Sequence, residues 1–304
     1  MPLPLYFFAL LGLGLAAMVL CGGQKRGRLW PALLPFAGML FPLLLPHDEV
    51  IPRGLIAFTA IILFNRCIDL AQDEQGYSIS FRLLFPFTVL DLRRFQRRQK
   101  KFSRDKLLEL IVYGLLAGAA LYGVVFVAKS YIGWTHFAIR WSAGLVLLYA
   151  AVDAGNAFAL FVCRALGWEA PSMQNKPILS KSVHEFWGRR WNREIHEWVL
   201  VHIYSPMTRR NRPILGLSLA FLYTAFLHAY PANVALGWRY AFPMGLFFLL
   251  NGAALAFERL VDSRRWPAFF GHLWTVLFVF STSPLFMEPA LSMMGMPTKV
   301  ALPF

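Results

Sequence analysis

Charge is scarce in this sequence. Only 15% of its 304 residues are charged, against roughly a quarter in an ordinary soluble domain. Hydrophobic residues make up 58%, and the mean hydropathy is +0.51. A water-soluble domain of this length could not hide so much apolar surface, so the medium for most of the chain is lipid. Acids are scarcer still: 16 Asp and Glu stand against 30 Lys and Arg, a net charge of +14. Such an excess can mark a nucleic-acid binder. Here the cations flank apolar runs and cover no polar domain, which argues against nucleic acid as a partner. The three cysteines, Cys21, Cys67 and Cys163, form no CxxC pair, so neither a disulfide framework nor a structural zinc site is implied. HEFW at His184 and HEWV at His196 do not make HExxH, and GxSxG and P-loop patterns are missing. No metal site and no cofactor are expected. The N-terminus lacks the basic region of a cleavable signal, and Leu3 to Cys21 is long enough to span, so it reads as a retained first helix.

What the chain has in plenty is long apolar runs. About 17 to 25 such residues cross a bilayer as a helix. On that measure the clear spans are Leu3 to Cys21, Leu107 to Ala128, Ile139 to Cys163, Ile214 to Tyr230 and Val234 to Phe257. Leu29 to Pro46 is a further span, kinked by Pro31, Pro35 and Pro42. Val50 to Leu70 is weaker, because it carries Arg53, Arg66 and Asp69. Phe269 to Thr282 is short and is expected to continue past Pro284 as a broken helix. The expected fold is therefore all-α: a polytopic integral membrane protein of about eight transmembrane helices around an internal tunnel. Residues 1–304 are read as one membrane-embedded domain.

Orientation follows from Lys and Arg, which gather on the cytoplasmic side of short loops. Threading the spans in order collects 24 of the 30 cations in four loops on one face. The opposite face keeps five (Arg53, Lys129, Arg140, Arg239 and Lys299), and Arg66 lies within a span. The basic face is expected to be cytoplasmic and the N-terminus outside.

Two cytoplasmic segments are long. Tyr77 to Lys106 interleaves phenylalanines with the run DLRRFQRRQKKFSRDK. It reads either as an interfacial anchor on anionic membrane lipids or as a cationic rim for a phosphorylated substrate. Ser182 to Ser205, SVHEFWGRRWNREIHEWVLVHIYS, is too polar to span and too aromatic for a solvated linker. Taken as one helix, it places Phe186, Trp187, Trp191, Ile195, Trp198, Val199, His202 and Ile203 on a single face. A plain amphipathic interface helix would look much like this. Asn192 is the residue that such a helix explains least.

FWGRRWN at Phe186–Asn192, followed by YSP at Tyr204–Pro206, resembles the signature of the wax-synthase branch of the membrane-bound O-acyltransferases. In that branch a transmembrane His follows about one helix later, and LYTAFLHAY supplies His228, 36 residues after Asn192. The likeness covers residues 182–230 specifically. It implies transfer of a fatty acyl group from cytoplasmic acyl-CoA to the hydroxyl of a lipophilic alcohol, a long-chain fatty alcohol giving wax ester, or a sterol or terpenoid alcohol. His228 would be the general base and Asn192 its polar partner and oxyanion donor. Arg189, Arg190 and Arg193 would attract the CoA phosphates, and Trp187, Trp191 and Tyr204 would line the substrate path. FWGRRWN would sit in a cytoplasmic interfacial or re-entrant segment. The residues allow it: His228 lies 14 positions beyond Ile214, roughly 21 Å along a helix and deep in the bilayer. An intramembrane ionisable group is a functional candidate by default, and burial favours the neutral imidazole that a base requires.

Two other readings are open. NRCIDLAQD at Asn65–Asp73 resembles the first aspartate-rich motif of intramembrane prenyltransferases, with Arg66 where a second acid is expected. The plainer reading is that Asp69 pairs with Arg66 or caps the helix end. A non-enzymatic lipid carrier is the other alternative. Asp153 and Asn156, at i,i+3 on one helix face, read as an interhelical hydrogen-bond site or as tunnel lining.

Overall fold

The computed structural model describes residues 3–21, 30–72, 77–85 and 90–298. Almost all of it is helix. The chain begins with α1 (Leu3–Cys21), α2 (Leu33–Gly38), α3 (Val50–Gln72) and α4 (Ile79–Leu84). A two-residue strand β1 (Gln96–Arg97) precedes α5 (Arg104–Tyr122), which runs on through a π-turn at Gly123–Val127. Then come α6 (Gly133–Ala165) and β2 (Trp168–Glu169), which pairs antiparallel with β1. The short helices α7 (Val183–Glu185), α8 (Arg193–Val199) and α9 (Ser205–Arg209) follow. The rest is α10 (Pro213–Leu236), α11 (Trp238–Leu260), α12 (Ala268–Thr282) and α13 (Pro284–Met293).

Among the described residues, five helices are long and apolar enough to cross a membrane: α3, α5 with its extension to Ser130, α6, α10 and α11. The pair α12 and α13, bent by 46° at Ser283, makes a sixth if counted as one broken span. An internal Pro in each of α10 and α11 does not end either helix. The surface matches lipid rather than water. Leu108, Val112, Leu115 and Phe126 are all exposed on α5 and its extension, and Leu115 is 72% exposed. Such a face would be an aggregation site in water. The chain is an all-α polytopic membrane protein.

The expected eight spans are reached only by adding two shorter apolar helices, Pro4–Leu20 and Leu33–Leu44. The second is broken because its prolines withhold backbone donors. The expected span Leu29 to Pro46 divides, over its described residues, into a 3₁₀ turn at Trp30–Ala32, α2 and a second 3₁₀ turn at Phe41–Leu44. The expected break after Thr282 is present.

The chain folds into two compact units. The first takes in Met1–Leu92, Phe226–Phe242 and Met293–Gly295. Within it α1 packs on α2 and α3. Arg53, buried in α3, donates from Nε to the Val234 carbonyl at 2.7 Å and from a second nitrogen to the Leu45 carbonyl, so its charge is spent on backbone acceptors. Arg66 pairs with Asp69 at 3.4 Å and lies over the Phe85 ring. The plainer reading of Asp69 is the one seen, while Asp73 lies outside the described residues.

The second unit takes in Arg93–Ala225, Pro243–Ser292 and Met296–Phe304. Here α5 lies along α6. Arg140 of α6 meets the buried Glu288 of α13 in a two-pronged pair at 2.7 and 3.0 Å. Trp141 Nε1 and Ser292 Oγ donate to the same carboxylate. The basic segment after Leu92 is pinned to the end of α6. Arg98 N–H donates to the Gly167 carbonyl, and Arg164 bridges Asp105 and Glu169. A Cβ on Gly167, whose φ is +82°, would stand 3.0 Å from the Arg98 carbonyl, so this crossing needs glycine.

Candidate functional site

The segment expected as one helix over Ser182–Ser205 is not continuous. Ser182 caps α7, its hydroxyl accepting from Glu185 N–H at 2.9 Å. The backbone then widens into a π-turn over Phe186–Arg190, closed by Trp191 N–H donating to the Phe186 carbonyl at 2.8 Å. Trp191 is extended and Asn192 sits in the left-handed region with φ 39°. The reason is chemical: Asn tolerates that region better than other residues with a side chain, and it caps helices well. Its Oδ1 accepts from Ile195 N–H at 3.4 Å and starts α8. A second π-turn at Leu200–Tyr204 precedes α9. Isolated π-turns inside helices are uncommon and concentrate at functional sites.

Three partners fix this motif. From α11 comes the buried Glu258, whose carboxylate accepts from Val183 N–H at 2.6 Å, His184 N–H at 2.9 Å and Trp274 Nε1 at 2.9 Å. Two helical turns earlier, the fully buried Asn251 accepts from Trp187 Nε1 at 2.9 Å and donates to the Phe247 carbonyl. The Trp187 ring packs against Phe221, Phe247 and Phe248 and serves as an anchor in the apolar core.

The third partner is the extended stretch Ser172–Asn175. Arg193 N–H donates to the Met173 carbonyl and Asn175 N–H to the Arg190 carbonyl, both at 2.9 Å. Between them, Asn192 N–H donates to the Gln174 side-chain oxygen at 3.3 Å. Asn156 of α6 holds this stretch in turn: its Oδ1 accepts from Met173 N–H at 2.9 Å and its Nδ2 donates to Ser172 Oγ at 3.1 Å. Asn156 is thus a hydrogen-bonding site, but it ties α6 to an extended stretch and not to another helix as expected. Asp153, one turn earlier, is buried, with Oδ2 unpartnered among the described residues.

The remaining candidates have distinct surroundings. Arg190 is engaged: it pairs with Glu185 at 2.7 Å and donates to the Asn175 carbonyl at 3.1 Å. Burial by itself would raise the Glu185 pKa, but the Lys181 N–H and Arg190 outweigh it and hold it below the usual value. Arg193 donates weakly to the Ser172 carbonyl at 3.4 Å. Arg189 is exposed and has no hydrogen-bond or ion-pair partner among the described residues. Trp191 stacks on Phe186, with centroids 5.7 Å apart, and leans on Tyr149 of α6. Tyr204 packs where α9 turns into α10; a Cβ on Gly216 would stand 3.2 Å from its carbonyl. The imidazoles of His184 and His196 flank Gly188. Burial pushes the His196 pKa below the ordinary histidine value; Glu197 opposes this, and His184 and Arg193 add to it. Among the described residues no group of three His, Cys, Asp or Glu is placed to hold a metal ion.

Seven of the eight expected site residues thus fall in the second unit. His228 falls in the first, half-buried on α10 between the buried Ala225 and Ala232. Four residues that shape the motif went unnoticed in the sequence: Glu258, Asn251, Gln174 and Glu185. The acid and the amide in apolar α11 were the available signal, since a lipid-embedded helix rarely carries either without a partner.

Comparison with known proteins bears on the same region. The model of the Membrane bound O-acyl transferase family matches residues 170–250. A probable long-chain-alcohol O-fatty-acyltransferase 9 from Arabidopsis thaliana is 27% identical over 294 residues, spanning 87% of this chain and 83% of that one. The acyl-CoA–sterol O-acyltransferase 1 of the same plant is 27% identical over 153 residues, 45% of this chain and 43% of its own. Its diacylglycerol O-acyltransferase 1 is 35% identical over 80 residues, covering 24% and 15% of the two chains.

Proposed function

We propose that the chain is a membrane-bound O-acyltransferase of the wax-synthase-like branch and moves a fatty acyl group from acyl-CoA to a lipophilic alcohol within the membrane. That it is an O-acyltransferase follows from the family and from relatives that act on long-chain alcohols, sterols and diacylglycerol. A long-chain fatty alcohol, giving wax ester, is the acceptor we favour, because the relative that matches over most of both chains is named for that substrate. Residues 1–304 act as one acyltransferase domain of eight spans around a tunnel, needing no cofactor.

The observation that carries the reading is the state of Asn192. Its Oδ1 is committed to Ile195 N–H, while Nδ2 has no hydrogen-bond partner among the described residues. An amide held by its oxygen presents its NH₂ as a preoriented donor, the requirement for stabilising an oxyanion. His228 serves as the base. The alcohol oxygen attacks the thioester carbonyl as its proton passes to the imidazole, and that proton leaves with the CoA thiolate. The distribution of cations, 24 against 5, supports a cytoplasmic position for FWGRRWN, on the side where acyl-CoA is dissolved. Arg189, exposed and unengaged, takes a CoA phosphate most readily, whereas Arg190 would first have to release Glu185. Trp191 and Tyr204 border the acyl path.

The test is thiol release from long-chain acyl-CoA by the purified protein, with fatty alcohols, sterols and terpenols as acceptors. Ester formation by the wild type and its loss by about 10²–10⁴-fold in His228→Ala, with acyl-CoA binding kept, is the expected result. No thiol release with any acceptor would overturn the reading.

A further inference from the structure

Gln174 is a buried side chain whose hydrogen bonding is half complete. It is 5% exposed. Its oxygen accepts from Asn192 N–H at 3.3 Å, while its Nε2 has no partner. The amide cannot be turned round, because the atom facing it on Asn192 is a backbone donor and demands an oxygen. Nε2 is therefore a donor without an acceptor, which is unfavourable for a buried amide. Buried polar groups are nearly always satisfied, so a persistent exception points to a partner that arrives with a ligand.

Its neighbour repeats the pattern. Asn192 also holds a backbone N–H with its oxygen and leaves its NH₂ unpartnered. Two primary amides thus sit side by side, joined through the Asn192 N–H, each with its acceptor used and its donor unspent. The scaffold fixes both. Met173 and Asn175 bond to the backbone of Arg193 and Arg190 on either side of Gln174. Ser172 Oγ donates to the Gln174 carbonyl at 2.6 Å, and Asn156 holds Ser172 and Met173 to α6. A hydroxyl or an ammonium needs an acceptor here and finds none in the pair. A carbonyl oxygen that becomes an oxyanion needs only donors.

We infer that Gln174 is a catalytic residue of the acyl transfer, supplying from Nε2 a second donor, beside Asn192 Nδ2, to the thioester oxygen. The inference rests on the acyltransferase reading above. In the step itself a bond forms between the alcohol oxygen and the carbonyl carbon. The alcohol proton goes to the base and the C=O π pair moves onto oxygen, where both amides donate. When that pair returns, the C–S bond breaks and the CoA thiolate leaves with the proton from the base. The charge at the oxygen is largest between the two events, so the pair acts on kcat more than on KM.

The experiment uses the full chain with two variants. Gln174→Met keeps the size and removes both polar atoms. Gln174→Glu keeps an oxygen for Asn192 N–H and removes the amide donor. Each is assayed for kcat, for KM of acyl-CoA, for binding of an S-alkyl-CoA thioether that lacks the carbonyl, and for thermal stability. Loss of one oxyanion donor lowers kcat by about 10²–10³-fold. We expect that loss with KM and thioether affinity within about threefold of wild type. A kcat within threefold of wild type in either folded variant overturns the inference and leaves the acyltransferase reading standing. If Gln174→Glu loses thioether affinity and thermal stability together with activity, Gln174 is a brace and the inference also fails. A wild type that releases no thiol overturns both readings.

Discussion

Asn192 has two separable duties, and three substitutions divide them. Its Oδ1 caps α8, and its backbone occupies a left-handed conformation. Alanine forfeits both, about 1 kcal/mol for the cap and about 1 kcal/mol for the conformation, so Asn192→Ala should cost about 2 kcal/mol in stability. Glycine accepts the positive φ without strain, and the loss of the cap then costs only a few tenths of a kcal/mol. Aspartate keeps an oxygen for Ile195 N–H, tolerates the same backbone and favours a helix N-terminus, so Asn192→Asp should be as stable as wild type. In all three the amide donor is gone, and each should lose about 10²–10³-fold in kcat. Thermal unfolding in detergent micelles, paired with the thiol-release assay, reads both duties at once. The expected stability order is Asp and Gly near wild type with Ala lowest, while activity falls alike in all three. Asn192→Asp turning over within about threefold of wild type would refute the donor role. Asn192→Ala as stable as wild type would refute the cap argument.

Two further outcomes follow from the rest of the second unit. Arg140→Met alone should cost about 3–5 kcal/mol by leaving Glu288 buried without its charge partner, whereas Arg140→Met with Glu288→Met should recover much of that loss; a double variant no more stable than the single one, in the same detergent melt, counts against this. His196 is held neutral by burial, with its pKa below the ordinary 6.5, so the unfolded chain takes up its proton first. Its contribution to stability is complete above about pH 6.5 and declines as pH falls from there towards the folded value. A melting temperature that drops below pH 6.5 in wild type and less steeply in His196→Gln is the expected pair of curves.

The spans were legible because lipid demands one thing of a segment, a sufficient length of apolar residues, and sequence displays it directly. Even the break before Pro284 could be read, since a short run and a proline are both local. The course of FWGRRWN was not legible. Its aromatics recur at helical spacing, but the π-turns shift the register, and the left-handed Asn192 breaks a helix that the spacing alone would continue. What holds it open lies far off: Glu258 is 75 residues from Val183 and Gln174 is 18 from Asn192. Neither bond leaves a periodic trace. Asn192 itself was singled out because an amide among tryptophans suits a plain interface helix poorly, and that misfit was the conformational signal. For Trp187 the resemblance implies substrate lining, whereas the bond from its indole to Asn251, seven residues from Glu258 and far along the chain, leaves no trace in the sequence.

The Arg140–Glu288 pair also constrains how the protein can be made. The two residues are 148 positions apart, so the cation reaches the bilayer long before its carboxylate has been translated. Arg140 lies seven residues into α6, and until Glu288 arrives its long side chain can reach up to the interface. The bent half-helix α13, with residues 287–292 all buried, has no such refuge. It must find α6 already in place. Biogenesis therefore has a direction built into it: a later apolar helix docks on a charge left waiting by an earlier one. A nascent chain stopped short of Glu288 keeps an unpaired arginine in its membrane domain, a mark by which quality control can tell an unfinished copy from a finished one.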